Sequence, residues 1–352
     1  MLSSILERRA FMAELFTGRS PRHGVAFDCP WPKCVGGYDR TYDRPVADFV
    51  PQCEQFYADK LRYTEAIGDD SVPFVPLWSH TGIFAEAFGC AIHHYDHEQN
   101  PCARPKVFNA ADAAKLPQPR VTDGRGLANF FELCRELRRR LGPEVPFTVP
   151  DIQSPFDIAA LVWEKEDFLL ALLDEPEIVK GLVEKCRVLL TDFFRAFRDE
   201  FGPEIAYNHC PASVWAPPAL GVWLSEDEVG AISTGMFEEF CLAPLTRLSE
   251  DFGGLFMHCC ASADHQYRNF NKIPNLRGLN RVYQAAGPGP AIAAFSGQTV
   301  LIHAWLLPED VKRHIAMARP DTRFFFDLPG LTLDEARRAM DELRPLLTVQ
   351  NP

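Results

Sequence analysis

The sequence predicts an α/β fold, a single (β/α)8 TIM barrel, and three observations point there. About eight short β-branched or aromatic runs alternate with longer amphipathic segments, which is the strand number that closes a parallel barrel. A length of 352 residues suits one barrel with insertions. Polar and metal-ligating residue types collect just after the strand-like runs, where barrel enzymes keep their chemistry. Residues 1–352 therefore read as one domain, with an N-terminal helical extension over residues 1–20 and long loops at the C-terminal rim.

In chain order the strand candidates are Val25–Phe27, Val75–Trp78, Phe147–Val149, Ile205–Asn208, Leu255–His258, Arg277–Leu279, Val300–Ile302 and Phe324–Phe326. Most are rich in the β-branched and aromatic types that favour strands. Helical periodicity covers Asp174–Phe201, Thr234–Asp251, Pro308–Ala318 and Thr332–Leu346. Pro308-Glu309-Asp310 and Thr332-Leu333-Asp334-Glu335 read as helix starts, because a hydroxyl cap or early acids complement the N-terminal amides. The Pro-rich stretches Cys29–Pro32, Pro101–Pro119 and Pro211–Pro218 carry hydrophobic and aromatic residues throughout, so they read as ordered rim loops and not as linkers.

Charge narrows the function classes. Lys+Arg 36 against Asp+Glu 48 leaves a formal net charge of -12, which opposes binding to nucleic acid or to an anionic membrane. No apolar run approaches the ~18 residues a membrane helix needs. The 11 cysteines are odd in number and irregularly spaced, and the opening MLSSILERRAFMAELF lacks the apolar core of a signal peptide. The expected setting is the reducing cytoplasm, with free thiols and a small-molecule substrate.

The residues at the strand ends carry the chemistry. In order they are Asp28-Cys29, Ser79-His80, Asp151, Asn208-His209-Cys210, His258 with Cys260, Asn280-Arg281, His303 and Asp327. Strand side chains alternate, so His258 and Cys260 share one face and Cys259 takes the other. An imidazole and a thiol so placed suit a zinc ion that needs a third protein ligand, although a buried cysteine also serves as a small hydrophobe. Asp327 is the leading candidate for that third position, with His303 and His209 as alternatives. Asp151, in Pro150-Asp-Ile-Gln-Ser-Pro-Phe156, and His80 are candidate general acid/base or substrate-orienting groups, with a turn aspartate as the other reading of Asp151. Trp78, Phe156, His209 and Trp215 are the expected substrate contacts, since aromatic residues beyond strand ends can line an apolar pocket. There is no Gly-x-Gly-x-x-Gly, no Walker sequence and no Gly-x-Ser-x-Gly elbow, which removes the dinucleotide, P-loop and α/β-hydrolase readings.

The segment Phe252-Gly-Gly-Leu-Phe-Met-His-Cys-Cys-Ala-Ser-Ala-Asp264, with Ser154-Pro-Phe-Asp-Ile-Ala159 upstream and Ile273-Pro-Asn-Leu-Arg-Gly-Leu279 downstream, resembles the uroporphyrinogen decarboxylase superfamily. The resemblance implies the barrel from roughly Pro73 onward. It also implies one of two chemistries: tetrapyrrole decarboxylation, or zinc-dependent methyl transfer between a corrinoid and a thiol or related acceptor. The methyltransferase branch uses His-x-Cys plus a distant cysteine after the last strand. His258 and Cys260 match the first part, whereas Arg323-Phe-Phe-Phe-Asp-Leu-Pro-Gly330 stands where the second belongs and no cysteine follows Cys260. The decarboxylase branch uses an arginine-rich N-terminal segment and an aspartate after the second strand. Here Arg19, Arg22 and His23 stand in a different context, and Ser79-His80 ends the second strand. The resemblance thus implies methyl transfer first, with zinc as the metal, methylcobalamin as substrate or partner-bound cofactor, and a corrinoid protein as a possible partner. The alternatives are a metal-independent decarboxylase or lyase of a tetrapyrrole or aromatic acid, and a non-catalytic corrinoid or small-molecule binding protein.

Overall fold

The computed structural model describes residues 4–28, 46–77, 79–95, 101–202, the backbone of 205–206, 214–283 and 285–349. Its strands are β1 (Gly24–Phe27), β2 (Ala91–His93), β3 (Cys102–Arg104), β4 (Phe147–Thr148), β5 (Ile205–Ala206), β6 (Val222–Ser225), β7 (Leu255–Cys259), β8 (Leu276–Arg281), β9 (Val300–His303) and β10 (Phe324–Leu328). Six of them form one parallel sheet in the order β1-β10-β9-β8-β7-β6. Parallel bridges carry the pairing onward: Gln153 pairs with Ser225, β4 pairs with β5, and Val75 pairs with Phe147. With helices between the strands, this is the parallel α/β arrangement of a TIM barrel. β2 and β3 form a separate antiparallel hairpin.

Both faces of the sheet are covered, and the alternation of strand side chains decides which residue meets which cover. Leu255, Met257 and Cys259 of β7, Leu279 of β8, Leu301 of β9 and Phe324 and Phe326 of β10 enter the large core that the outer helices share. The intervening residues Trp223, Phe256, Val300, Ile302 and Phe325 point the other way, into a second core with Phe11, Met12, Leu15 and Phe16. Those four belong to helix α1 (Ile5–Phe16), which starts in a capping box: Ser4 and Glu7 satisfy each other's amides. The helical segment expected in residues 1–20 is thus the cover of the sheet's inner face. Trp223 stacks on Phe256 at 4.5 Å between ring centres, and Phe16 meets Phe256 edge-on at 4.9 Å.

Buried polar groups clasp β1 and the chain just before it. Lys60 Nζ donates to Phe27 O at 2.7 Å, and Asp69 accepts from Phe27 N at 2.9 Å. Asp70 accepts from Val25 N at 3.0 Å and from both Arg22 amino groups at 2.7 and 2.6 Å. Each buried charge is therefore partnered, as burial demands.

Several expectations change; the second expected strand, Val75–Trp78, contributes a single bridge at Val75 among its described residues. Of the fourth expected strand, Ile205–Ala206 form β5 while Tyr207 and Asn208 lie outside the described residues, and the unexpected strand β6 supplies the sheet's edge next to β7. Val222-Trp-Leu-Ser225 is only four residues long and follows a Pro-rich stretch, so its strand signal is weak until β7 pairs with it. The expected helix Thr234–Asp251 contains one wide π turn at Phe237–Cys241, with a regular helix resuming over Leu242–Phe252.

Candidate functional site

His258 lies in β7, on the same face as Phe256 but one pleat nearer the C-terminal end. Its Nδ1 is 2.5 Å from Asn280 Oδ1 on β8, in register beside it. Asn280 Nδ2 donates to Ile302 O at 2.7 Å, which fixes the amide so that its oxygen faces the ring. Nδ1 is then the protonated nitrogen and Nε2 the one with the lone pair, the form a metal-binding histidine takes.

Cys260 follows the strand end, exposed, while Cys259 is fully buried on the opposite face, as the alternation predicts. The third member of the cluster is Asp227, which follows β6. Ligand atoms of Asp227, His258 and Cys260 all lie within 4.8 Å of one another, and among the described residues this is the one such group of three. Asp227 Oδ1 accepts from Cys260 N at 2.5 Å, and its Oδ2 is 3.1 Å from Ser225 Oγ.

A distant loop end holds Asp227 in place. The helix Pro155–Val162 begins at Ser154, whose hydroxyl caps Asp157 N at 2.9 Å. The Asp157 carboxylate then accepts the backbone amides of Asp227 at 2.7 Å and Glu228 at 3.0 Å. Burial and the neighbouring Asp227 push Asp157 well above the usual carboxylate range, and burial followed by Asp157 does the same to Glu226. Partial burial, then the Asp227 carboxylate, pushes the Cys260 thiol up to about 12. A thiol, a carboxylate and the lone pair of an imidazole converge where a cation would relieve the repulsion between the first two, so the donor set fits a zinc ion.

Asp151 and His80 connect to this cluster. Asp151 N donates to Ser79 Oγ at 2.8 Å, and its Oδ1 accepts from Gln153 Nε2 at 2.9 Å. Gln153 Oε1 is 3.0 Å from Ser225 Oγ, whose single proton is shared between that amide and Asp227. Burial, then His94, lowers the His80 imidazole to about 4, with Asp151 opposing the shift. His80 is therefore neutral at physiological pH and within electrostatic reach of Asp151.

The other expected residues are placed differently. Asp327 is buried on β10, two residues beyond the inward-facing Phe325, and is not in the group of three. His303 faces the outer side, where Nε2 meets the Tyr283 hydroxyl and Nδ1 lies 2.9 Å from His314 Nδ1. Phe156 packs against Phe168 at 5.3 Å in the outer core, and Trp215 lies under the Arg9 guanidinium at 5.3 Å in the core beneath α1. Both are core residues. Trp78 and His209 lie outside the described residues. Sequence reasoning missed Asp227; the available signal was the acidic run Glu226-Asp-Glu228 directly after Val-Trp-Leu-Ser225.

A parallel α/β barrel with a compact ligand cluster at its strand ends defines the class. Residues 74–206 match the family model of uroporphyrinogen decarboxylase. The fold is similar to that of a methyltransferase from Methanosarcina mazei, with a TM-score of 0.65 at 14% identity, covering 96% of this chain and 99% of that one. No curated protein matches the chain by sequence. Over residues 74–206 the chain thus resembles the uroporphyrinogen decarboxylase family, and its fold is similar to that of the methyltransferase over nearly its whole length. The matched segment ends before Asp227, His258 and Cys260, so the reading of that cluster rests on its own geometry. No described helix is long and apolar enough to cross a membrane.

Proposed function

We propose that the protein is a zinc-dependent methyltransferase that moves a methyl group from a corrinoid, free methylcobalamin or one held by a partner protein, to a thiol or related acceptor. The observation that carries this reading is the convergence of Asp227, His258 and Cys260 within 4.8 Å. The methyltransferase similar in fold supports it. Zinc held by these three residues would lower the pKa of an acceptor thiol brought to its remaining open position. Asn280 keeps His258 in the ligating tautomer. Asp157 holds Asp227 toward Cys260 through the two amides it accepts. Asp151, tied to the cluster through Gln153 and Ser225, orients the acceptor, with the neutral His80 imidazole as a second orienting group.

The test is metal content and turnover together. Untagged wild-type protein should hold about one zinc per chain and convert methylcobalamin plus a small thiol to the methyl thioether. Cys260→Ser should lose both, and full metal retention with undiminished turnover in that variant would overturn the assignment. The His80–Asp151 pair favours a second reading, acid/base decarboxylation of an aromatic or tetrapyrrole acid without metal. Activity on such an acid that survives exhaustive chelation would establish it instead.

A further inference from the structure

We propose that a cavity beside the C-terminal ends of β8 and β9, facing the helix Pro308–Ala316, is a second small-molecule site, and that it takes a flat, uncharged ring compound bearing a hydroxyl group. The cavity measures about 380 Å³, within the range of small-molecule sites. Asp227, His258 and Cys260 are not among the residues lining it. It adjoins the candidate metal cluster through Asn280, which lines it and holds His258, but shares none of the three ligand residues and does not depend on the function proposed for that cluster.

Three ring side chains form a connected polar strip in its wall. The Tyr283 hydroxyl meets His303 Nε2, and His303 Nδ1 lies 2.9 Å from His314 Nδ1. A neutral imidazole carries one ring proton, so the strip has two fully bonded arrangements. In one, Tyr283 donates to His303, His303 donates to His314, and His314 keeps its proton on Nε2. In the other, His314 donates to His303, His303 donates to the Tyr283 oxygen, and the Tyr283 proton is available to a ligand. Passing from the first to the second takes up one proton at Tyr283 and releases one at His314 Nε2, so protons balance. The cavity can thus present a donor or an acceptor at Tyr283 without leaving a buried polar atom unmatched. A hydroxyl group, itself donor and acceptor, fits both arrangements.

The rest of the wall selects the ring and the charge. Trp305 lines the cavity with 57% of its surface exposed and sits at φ 58°, a left-handed backbone rarely adopted by a bulky residue and found disproportionately at functional sites. Its indole offers a stacking face at the mouth, and Val282, Pro288 and Leu306 add apolar surface. The two lining guanidinium groups are already engaged: Arg313 pairs with Asp310, and Arg281 donates to Cys259 O, Tyr267 and Asp264. The wall does not call for an anion.

Phenol is the probe, titrated into the full chain by calorimetry and by tryptophan fluorescence, with benzoate as the charged comparator. Saturable phenol binding should weaken about tenfold in Trp305→Ala and in Tyr283→Phe, and stay unchanged in Asp227→Asn. Trp305 is exposed, so its variant should fold even if Tyr283→Phe does not. Three outcomes would overturn the proposal: no saturation up to about 10 mM phenol, binding indifferent to Trp305→Ala, or tighter binding of benzoate than of phenol.

Discussion

Trp223, Phe256 and Phe325 lie two residues before Ser225, His258 and Asp327 on the same strands, yet the two sets do opposite work. The first set meets α1 and is held by contact area alone, with Trp223 stacked on Phe256 and Phe16 edge-on to it. The second set is polar at equal burial, and its members Ser225 and His258 are held by hydrogen bonds to Gln153 and Asn280. One pleat separates a region that stores stability from one that spends it on orientation. In the apolar layer a substitution is felt as lost packing; in the polar layer it is felt as a misplaced ligand atom.

The comparison breaks first if Phe256→Ala is mild. Truncating a fully buried phenylalanine between two rings should cost about 3–5 kcal/mol and lower the melting temperature, while zinc content in the surviving folded protein stays unchanged. An unaltered melting temperature would show that α1 does not depend on this layer.

Acid should act through two buried histidines, His80 near the polar layer and His23 beside Phe324 on the outer face. His23 accepts from Phe324 N at 3.2 Å, and burial followed by Arg323 lowers it to about 4, the value His80 also reaches. Each imidazole holds its proton less readily in the folded chain than at the ordinary value of 6.5, so the unfolded chain binds more protons between those limits. Stability should hold above pH about 6.5 and fall toward pH 4, by roughly 3 kcal/mol per histidine at most. Urea titrations from pH 7 to 4 on wild type and His80→Gln check this. A variant with the same slope as wild type would remove His80 from the account.

Asp227→Asn sharpens the contrast from the other side. It should weaken zinc binding at the proposed site by more than the roughly 10- to 100-fold expected for loss of an outer hydrogen-bond partner, with little change in melting temperature of the metal-free protein, read by competition with a chromophoric chelator. Asn280→Ala should have the smallest effect, about tenfold in zinc affinity, because it frees the His258 tautomer without removing a ligand. Equal zinc affinity in Asn280→Ala and wild type would show that the tautomer is set by something other than this amide.

Much of this was legible in the residues, because its causes are local. The alternation in Leu255–Cys259 puts His258 and Cys259 on opposite faces whatever the surrounding fold, and Ser154 and Thr332 cap their helices through amides three residues away. The Ser154-Pro-Phe-Asp157 segment carries part of a family likeness, while its physical task, holding the Asp227 turn, spans some seventy residues of sequence and leaves no periodic trace. Phe156 and Trp215 were expected at a pocket because they follow strand-like runs, and both proved to be packing, since an aromatic side chain's direction is set by which core it can fill.

The sequence by itself determined the parallel strand pattern, the irregular scatter of the cysteines and the placing of His258 with Cys260 on one side of the chain. Only the tertiary structure decided that Asp227 joins them, that Asp327 does not, and that His303 turns outward to Tyr283 and His314. Side-chain alternation is fixed within one strand, whereas the meeting of three donors depends on which loops the sheet brings to the same end and on the carboxylate of Asp157 that holds one of them there.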